Sequence, residues 1–381
     1  MAVNSATMHG MNPELFAGLI SGTSMDGIDA ALVDFDANPP LVTKAGTRPY
    51  PARLRAELEE LRADPDIFPA ARLARLDAEI GQAFADAANQ LLANAGVDPR
   101  QVRAIGSHGQ TILHRPDDDP PHTLQIGDPA RIAAATGIDT VADFRRADLA
   151  AGGQGAPLAP LLHHALLASP DENRLVVNLG GIANITLLPA NGGVSGFDTG
   201  PANCFLDLWY RQHHDDQFDR DGRWAASGRV DESALARLLD DPYFDRAPPK
   251  STGIEYFNPA WLSARQPDWA EARPADFQAT LAEFSAASLI AAIEHFVPFV
   301  PDRVLICGGG VHNTDLLDRI RHRLPDVAVQ STAEFGIDPD FAEAILFAWL
   351  ARGFITGKAI ETGPVTGAMR PVRLGAMWPA N

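Results

Sequence analysis

An apolar run, a glycine turn crowded with hydroxyls and carboxylates, and a second apolar run open the chain as LFAGLISGTSMDGIDAALVDF. The pattern returns in the second half as LVVNLGGIANITLLP, a Gly180-Gly181 turn carrying Asn184. Apolar runs on either side of a glycine turn read as strand, turn, strand. Two such hairpins point to a duplicated architecture, each half building its own sheet. The first turn alone supports two readings. Gly22, Thr23, Ser24, Asp26, Gly27 and Asp29 can close a tight hairpin, because glycine tolerates positive φ and Ser, Thr and Asp satisfy turn amides. The same residues, with Met25 and Ile28 between them, can cradle a phosphate, backbone N–H groups facing the anion and a hydroxyl or carboxylate reaching its metal.

A third glycine site, RVLICGGGVHNTDLL, is a strand running into Gly308, Gly309 and Gly310 and then into a helix capped at Asn313. Its spacing is not the dinucleotide fingerprint, and the chain has no G-x-x-x-x-G-K-[ST], so a P-loop is excluded. Between these sites, ARLRAELEELRA and the stretch from Ala70 to Ala95 carry apolar residues at helical spacing and read as amphipathic helices. VRAIGSHGQTILHRP reads as a short strand ending in Gly106 to Gln110. A helix opened by Asp128 and Pro129, a strand at Thr140 to Ala142 and the hinge-like loop AGGQGAP follow.

The length of 381 residues allows two or three domains. No apolar run approaches the roughly 18 residues of a membrane helix, and the N-terminal segment lacks the features of a signal peptide. The expected compartment is the cytoplasm. Only Cys204 and Cys307 are present, which argues against a disulfide framework and a cysteine zinc cluster. A net charge of −18 argues against nucleic acid as a partner, since phosphate backbones are held by clustered Lys and Arg. An anionic ligand must then be gripped locally.

Two polar glycine hairpins, one in each half, plus a late strand-GGG-helix resemble the layout of the actin-like, sugar-kinase and Hsp70 nucleotide-binding superfamily. At finer grain, GLISGTSMDGID, IGSHGQT, VADFRRADLAAGGQGAP, NLGGIANI, GFDTGPAN, KSTG and ICGGGVHN together resemble the 1,6-anhydro-N-acetylmuramic acid kinases. The resemblance implies an α/β, two-lobed actin-like ATPase fold, a duplicated ribonuclease H-like unit with ATP in the interlobe cleft. The expected lobes are 13–143, to which the extreme C-terminal segment can return, and 144–381. It also implies ATP-dependent phosphorylation of O6 of the sugar while water opens the anhydro bridge, with Mg²⁺ at Asp26 or Asp29, and a homodimer. In the wider superfamily an Asp precedes the Gly-Thr pair of the first hairpin; here Ile20 and Ser21 stand there.

Glycoside hydrolysis ordinarily needs one carboxylic acid on the leaving oxygen and one carboxylate on water. If O6 is capped by a phosphoryl group, one base suffices. Asp198 in SGFDTGPAN, placed at a strand end, is divided by spacing between an Asx turn or helix cap and that base, and the resemblance favours the base. Asp143 in VADFRRAD is the second candidate. Arg145 and Arg146 beside it suit a lactyl carboxylate, or one of them pairs with Asp143. His108 reads as a proton carrier at neutral pH or, in preference and together with Gln110, as a sugar contact or structural hydrogen-bonding group, and Glu343, on an otherwise apolar helix, as a sugar ligand or a group at the solvent edge. Two alternatives remain: an ordinary sugar kinase of the same superfamily, and an ATP-switched sugar sensor.

Overall fold

The computed structural model describes residues 14–380 apart from 23, 24, 26, 66 and 67. In chain order the first elements are β1 (Leu15–Ser21), β2 (Gly27–Asp34), β3 (Leu41–Pro49), α1 (Ala52–Ala63), α2 (Ala70–Ala95), β4 (Val102–Arg115), β5 (His122–Ile126), α3 (Pro129–Thr136), β6 (Thr140–Ala142) and α4 (Arg146–Leu149). Then come α5 (Ala159–Leu167), β7 (Arg174–Leu179), β8 (Ile182–Leu188), β9 (Ser195–Pro201), α6 (Cys204–His213), α7 (Arg223–Ser227), α8 (Glu232–Leu239), α9 (Pro242–Asp245), α10 (Pro259–Arg265) and α11 (Pro274–Phe296). The chain ends with β10 (Arg303–Cys307), α12 (Thr314–Arg323), β11 (Ala328–Ser331), α13 (Ala342–Ile355), α14 (Gly363–Thr366) and β12 (Ala376–Trp378). Two compact units result, one of residues up to Ala156 plus the segment from Glu343 onward, the other Pro157–Ala342.

In the first unit the sheet order is β12-β6-β4-β1-β2-β3, with β5 pairing the far end of β4. β1, β2 and β3 form an antiparallel meander, while β1 also runs parallel to β4 and β4 to β6. The second unit repeats this: β7, β8 and β9 form the meander, β7 runs parallel to β10, and β10 to β11. Strand for strand, β3-β2-β1-β4-β6 corresponds to β9-β8-β7-β10-β11, and the glycine turn falls after the first strand of each copy. The duplication expected from the two hairpins is therefore present in the topology.

All seven residues of β1 are buried because helices cover both faces of the strand. Leu15, Ala17 and Leu19 point into a core with Ile80 and Phe84 of α2. On the opposite face, a Cβ on Gly18 would lie 1.8 Å from the carbonyl oxygen of Ala344, and one on Gly106 of β4 would lie 2.0 Å from that of Phe347. Both strands are bare at these points, so α13 seats its backbone directly on the sheet. This contact groups the segment from Glu343 with the first unit; the sequence reading gave 144–381 to the second lobe and allowed only the extreme C-terminal segment to return.

Two local expectations need correction. β4 does not end at the polar glycines but continues to Arg115, because Gly109, at φ +75, lets the β5 carbonyl of Ile126 come within 2.5 Å of where a Cβ would be. Asp198 likewise sits in the middle of β9, not at its end. The α3 cap is as expected, with Asp128 accepting from the amides of Ala130 and Arg131. The second unit has one core between its sheet and α11 and α12, and a second, aromatic core around Trp209, Tyr243, Phe257 and Phe284. Among the described residues no helix is long and apolar enough to cross a membrane.

Candidate active site

Of the residues read from the first hairpin turn, Thr23, Ser24 and Asp26 lie outside the described residues. Met25, at φ +54, buries its side chain in the core, and its amide donates to Gly22 O at 3.2 Å. Ile28 is also core, and Gly27 is pressed against Arg48 of β3, where a Cβ would meet a carbonyl at 2.7 Å. Gly22 is different, since among the described residues a Cβ there would meet nothing within 4 Å. Asp29 is half-buried and accepts the Thr47 hydroxyl at 2.5 Å. Gln110 reaches toward this turn, its amide nitrogen 3.3 Å from Gly22 O, and its Oε1 is buried without a partner among the described residues.

On the same sheet, β4 carries Ser107 and His108. The Nε of Arg145 donates to His108 Nε2 at 3.0 Å and its Nη1 donates to Gly155 O at 2.9 Å. Nδ1 of His108 faces Gly109 O at 3.0 Å, and its ring tilts against Phe347 with centroids 4.6 Å apart. Burial, reinforced by the Arg145 charge, holds His108 well below its ordinary pKa. Glu343, in the first turn of α13, is accessible to solvent yet walled by protein. Lost hydration raises its pKa, Arg145 opposes the shift and Asp29 adds to it, so Asp29, Arg145 and Glu343 share one field.

A cavity of about 350 Å³ opens in this unit, with Ser107, His108, Asp143 and Arg146 among its polar lining and Leu73, Leu124 and Trp378 among its apolar lining. Its size falls within the roughly 300–1,000 Å³ of small-molecule sites. The Ser107 hydroxyl is buried there with no partner among the described residues. Asp143 adopts φ +60, a left-handed conformation unusual for a residue with a side chain and often found where function demands it. Arg146, not Arg145, pairs with Asp143, at 3.4 Å. Burial raises the Asp143 pKa, and Arg146 pulls against that shift.

In the second unit, the turn after β7 is tied back through its carbonyls. Gly180 O accepts from the Asn203 amide and side chain, and Gly181 O from the amides of Ala202 and Cys204, at 2.8–3.1 Å. Because each peptide N–H opposes its own C=O, the following amides turn the other way. A Cβ on Gly181 would meet nothing closer than 3.8 Å. Asn178, Asn184 and Asp198 are in register across β7, β8 and β9, which puts these polar side chains on one row. After β10, Gly308 at φ +78 packs on Asn178, Gly309 faces open space and Gly310 abuts Leu179. Asn313 caps α12 by accepting from the Leu316 amide at 3.0 Å, as expected.

Asp198 is neither a helix cap nor an Asx turn. Its Oδ2 accepts from the Thr252 amide at 2.9 Å, and α6 begins at Asn203 without a side-chain cap. Burial raises its pKa, the Thr252 amide opposes the shift and Glu255 adds to it. A carboxylate poised above its ordinary range is suited to take a proton near neutral pH. Sequence reasoning missed Asn178, Asn203, Ser107 and Trp378 as members of these sites. The signal available for the first two was a polar Asn interrupting an apolar strand and another opening a helix.

A duplicated meander with two parallel strands, a glycine turn after the first strand of each copy and a half-buried carboxylate beside the second turn define an actin-like, sugar-kinase-type α/β protein. The chain belongs to the anhydro-N-acetylmuramic acid kinase family, whose model matches residues 14–380. It is 54% identical over 379 residues to the anhydro-N-acetylmuramic acid kinase of Xanthomonas campestris pv. campestris, covering 99% of this chain and 100% of that one. The kinase of that name from Shewanella amazonensis is 47% identical, over 97% of this chain and all of its own. Among solved structures, a ROK family glucokinase from Streptomyces griseus in complex with glucose and AMPPNP aligns with 15% identity and a TM-score of 0.37, covering 89% of this chain and 99% of that one.

Proposed function

We propose that this chain transfers the γ-phosphoryl group of ATP to O6 of 1,6-anhydro-N-acetylmuramic acid while water opens the anhydro ring, releasing N-acetylmuramic acid 6-phosphate and ADP in the recycling of cell-wall peptidoglycan. The observation that carries this reading is the Asp198 carboxylate, held through Oδ2 by Thr252 and raised above its ordinary range by burial. Its other oxygen takes a proton from water. The water oxygen bonds to the anomeric carbon as the C1–O6 bond breaks, and O6 receives the phosphoryl group in place of a proton. The general acid of an ordinary glycosidase is thereby dispensable.

The cavity lined by Ser107, His108, Asp143 and Arg146 takes the sugar. Arg145 is turned inward, its Nε and Nη1 donating to His108 and Gly155, and the exposed Arg146 is the arginine suited to the lactyl carboxylate. Glu343 is suited to sugar hydroxyls. In each unit the glycine turns are the phosphate contacts, Gly22 in the first and Gly180–Gly181 with Gly308–Gly310 in the second; among the described residues a Cβ at Gly22 or Gly309 would meet nothing within 4 Å and one at Gly181 nothing closer than 3.8 Å, which fits a ligand that approaches backbone. Mg²⁺ neutralises phosphate charge when bound; Asp29 is the described carboxylate nearest this role, Asp26 being the other candidate. Mg²⁺ is ordinarily held by one or two carboxylates plus substrate phosphates, so one carboxylate at this turn would suffice.

The test is a reaction run in ¹⁸O-water with ATP and the anhydro sugar, read by mass spectrometry beside preformed product kept in the same water. Label at the anomeric carbon in excess of that control, with ADP formed in equal amount, is the expected result. ADP release from hydrated N-acetylmuramic acid, with no excess label from the anhydro sugar, would make the chain an ordinary sugar kinase instead.

A further inference from the structure

β9 is the outer strand of the second sheet, so the backbone groups of Asp198 that face away from β8 have no strand to pair with. The segment from Tyr243 to Thr252 replaces that strand. The Asp198 amide donates to Lys250 O at 3.2 Å, the Tyr243 hydroxyl donates to Asp198 O at 2.7 Å, and the Thr252 amide donates to Oδ2 at 2.9 Å. Backbone and carboxylate are thus held by one strap, and among the described residues Oδ1 has no partner.

The strap has its own anchor. The Lys250 side chain is 5% exposed, and its ammonium donates to the carbonyls of Tyr243 at 3.2 Å and Phe244 at 3.3 Å, near the C-terminal end of α9. Cations are favoured at such an end. The ammonium also lies 4.6 Å from the ring centre of Phe296, 4.8 Å from that of Tyr243 and 5.9 Å from that of Phe197, the residue before Asp198. A buried ammonium without a carboxylate partner is costly, so its retention calls for a reason that packing does not supply. The proposed reaction gives it no proton to carry and no phosphate to bind.

We propose that Lys250 is a positioning residue: its ammonium, fixed on the end of α9 among three rings, sets the strap that presents Asp198 with Oδ2 occupied and Oδ1 open to water. This inference rests on the reading of Asp198 as the base. Loss of the ammonium frees the carbonyls of Tyr243 and Phe244 and loosens the segment from which Thr252 and Tyr243 reach Asp198. The ionisable groups around this assembly are Glu255 and Tyr243 beside Asp198, and Arg246 and Asp245 beside Lys250.

The experiment compares Lys250→Met, Tyr243→Phe, Asp198→Asn and the Lys250→Met/Asp198→Asn pair by kcat, both KM values, the pH profile of kcat and thermal melting. Lys250→Met is expected to lower kcat on the order of 10²-fold with both KM values held, since small displacements of a reacting group cost that much. The acid limb of its kcat profile should move to higher pH, because a carboxylate that loses the Thr252 N–H is more readily protonated. Tyr243→Phe should shift both in the same sense by less. In the Asp198→Asn background, Lys250→Met should cost nothing further. Wild-type kcat and an unmoved limb in folded Lys250→Met, with Asp198→Asn dead, would overturn the positioning role and leave the base intact. An active Asp198→Asn would instead remove the base assignment, and this inference with it. An equal loss from Lys250→Met in both backgrounds would also overturn it. If Lys250→Met does not fold, Tyr243→Phe, which removes one hydroxyl, carries the same test.

Discussion

The Nε–H of Arg145 points at Nε2 of His108 from 3.0 Å, and this one contact fixes the protonation of the ring. Arginine has no acceptor, so Nε2 must carry the lone pair, and Nδ1 must carry the proton that it presents to Gly109 O. His108 is a neutral, oriented wall of the cavity that it lines with Ser107 and Asp143, and not a proton carrier. Its folded pKa lies well below the value of about 6.5 that it has when unfolded. The unfolded chain therefore binds the extra proton first, and the stability contributed by His108 is present above pH ~6.5 and lost as pH falls below it. Buried His163, lowered to about 4, acts in the same sense. Melting curves between about pH 7.5 and 5 should show His108→Gln losing less stability than the wild type over that span, since the variant removes one of three histidines, with His114 and His163, that burial holds below their ordinary pKa. Equal losses would mean that the ring is charged in the fold.

The seating of α13 on bare strands yields a second test. Ala at Gly18 or Gly106 places a methyl group against helix backbone, which cannot rotate away as a side chain would. Overpacking of this kind typically costs about 1–3 kcal/mol. Both variants should unfold at lower denaturant than the wild type. Glu343 begins this helix, so the sugar KM should rise in whatever fraction stays folded while the ATP KM moves less. A Gly18→Ala protein with wild-type stability and sugar KM would show that the helix is not held by this contact.

The hairpins were legible because strand period and turn chemistry are local, and the duplicated topology followed from finding the pattern twice. That the end of the chain can return to the first unit was legible; that the returning segment starts as early as Glu343 was not, since it depends on side chains missing at Gly18 and Gly106, far away in sequence. β4 was cut short because Gly106 and Gly109 look like a turn; one allows a helix and the other a neighbouring strand to approach an uninterrupted strand. For Asp198, residue type and neighbourhood suggested a base or a cap. Deciding against the cap required Thr252, which lies on a strap that no periodicity reveals. The roles of Arg145 and Arg146 were indistinguishable as adjacent letters, and separated once the backbone turned one toward His108 and the other toward Asp143.

Gly181→Val separates the phosphate-cradle reading from an ordinary tight turn. The structure leaves a Cβ at this position 3.8 Å from its nearest neighbours, and Gly181 is not among the residues with positive φ. The variant should therefore fold with little change in melting temperature. Its side chain occupies the space beside the backbone where a phosphate would lie, so the ATP KM should rise by on the order of tenfold or more, while sugar binding is retained. Titration calorimetry with an ATP analogue and with the sugar checks both halves. Unchanged nucleotide affinity in the folded variant would assign the turn to structure alone.

The base assignment is tested at Asp198 itself. Asparagine keeps the size of the side chain and can still accept from the Thr252 amide through its carbonyl oxygen, so Asp198→Asn should melt close to the wild type and bind both substrates. It has no basic oxygen for water's proton, and losing a general base typically costs on the order of 10² to 10⁴ in rate. Because burial raises the Asp198 pKa, wild-type kcat should fall as pH drops through a value above the ordinary carboxylate range, and the residual rate of the variant should lack that limb. Asp143→Asn provides the counter-test. Its carboxylate pairs with Arg146 in the wall of the sugar cavity, so the change should raise the sugar KM and leave most of kcat. A dead Asp143→Asn that still binds sugar, beside an Asp198→Asn with near wild-type turnover and an intact acid limb, would move the base from β9 to the end of β6.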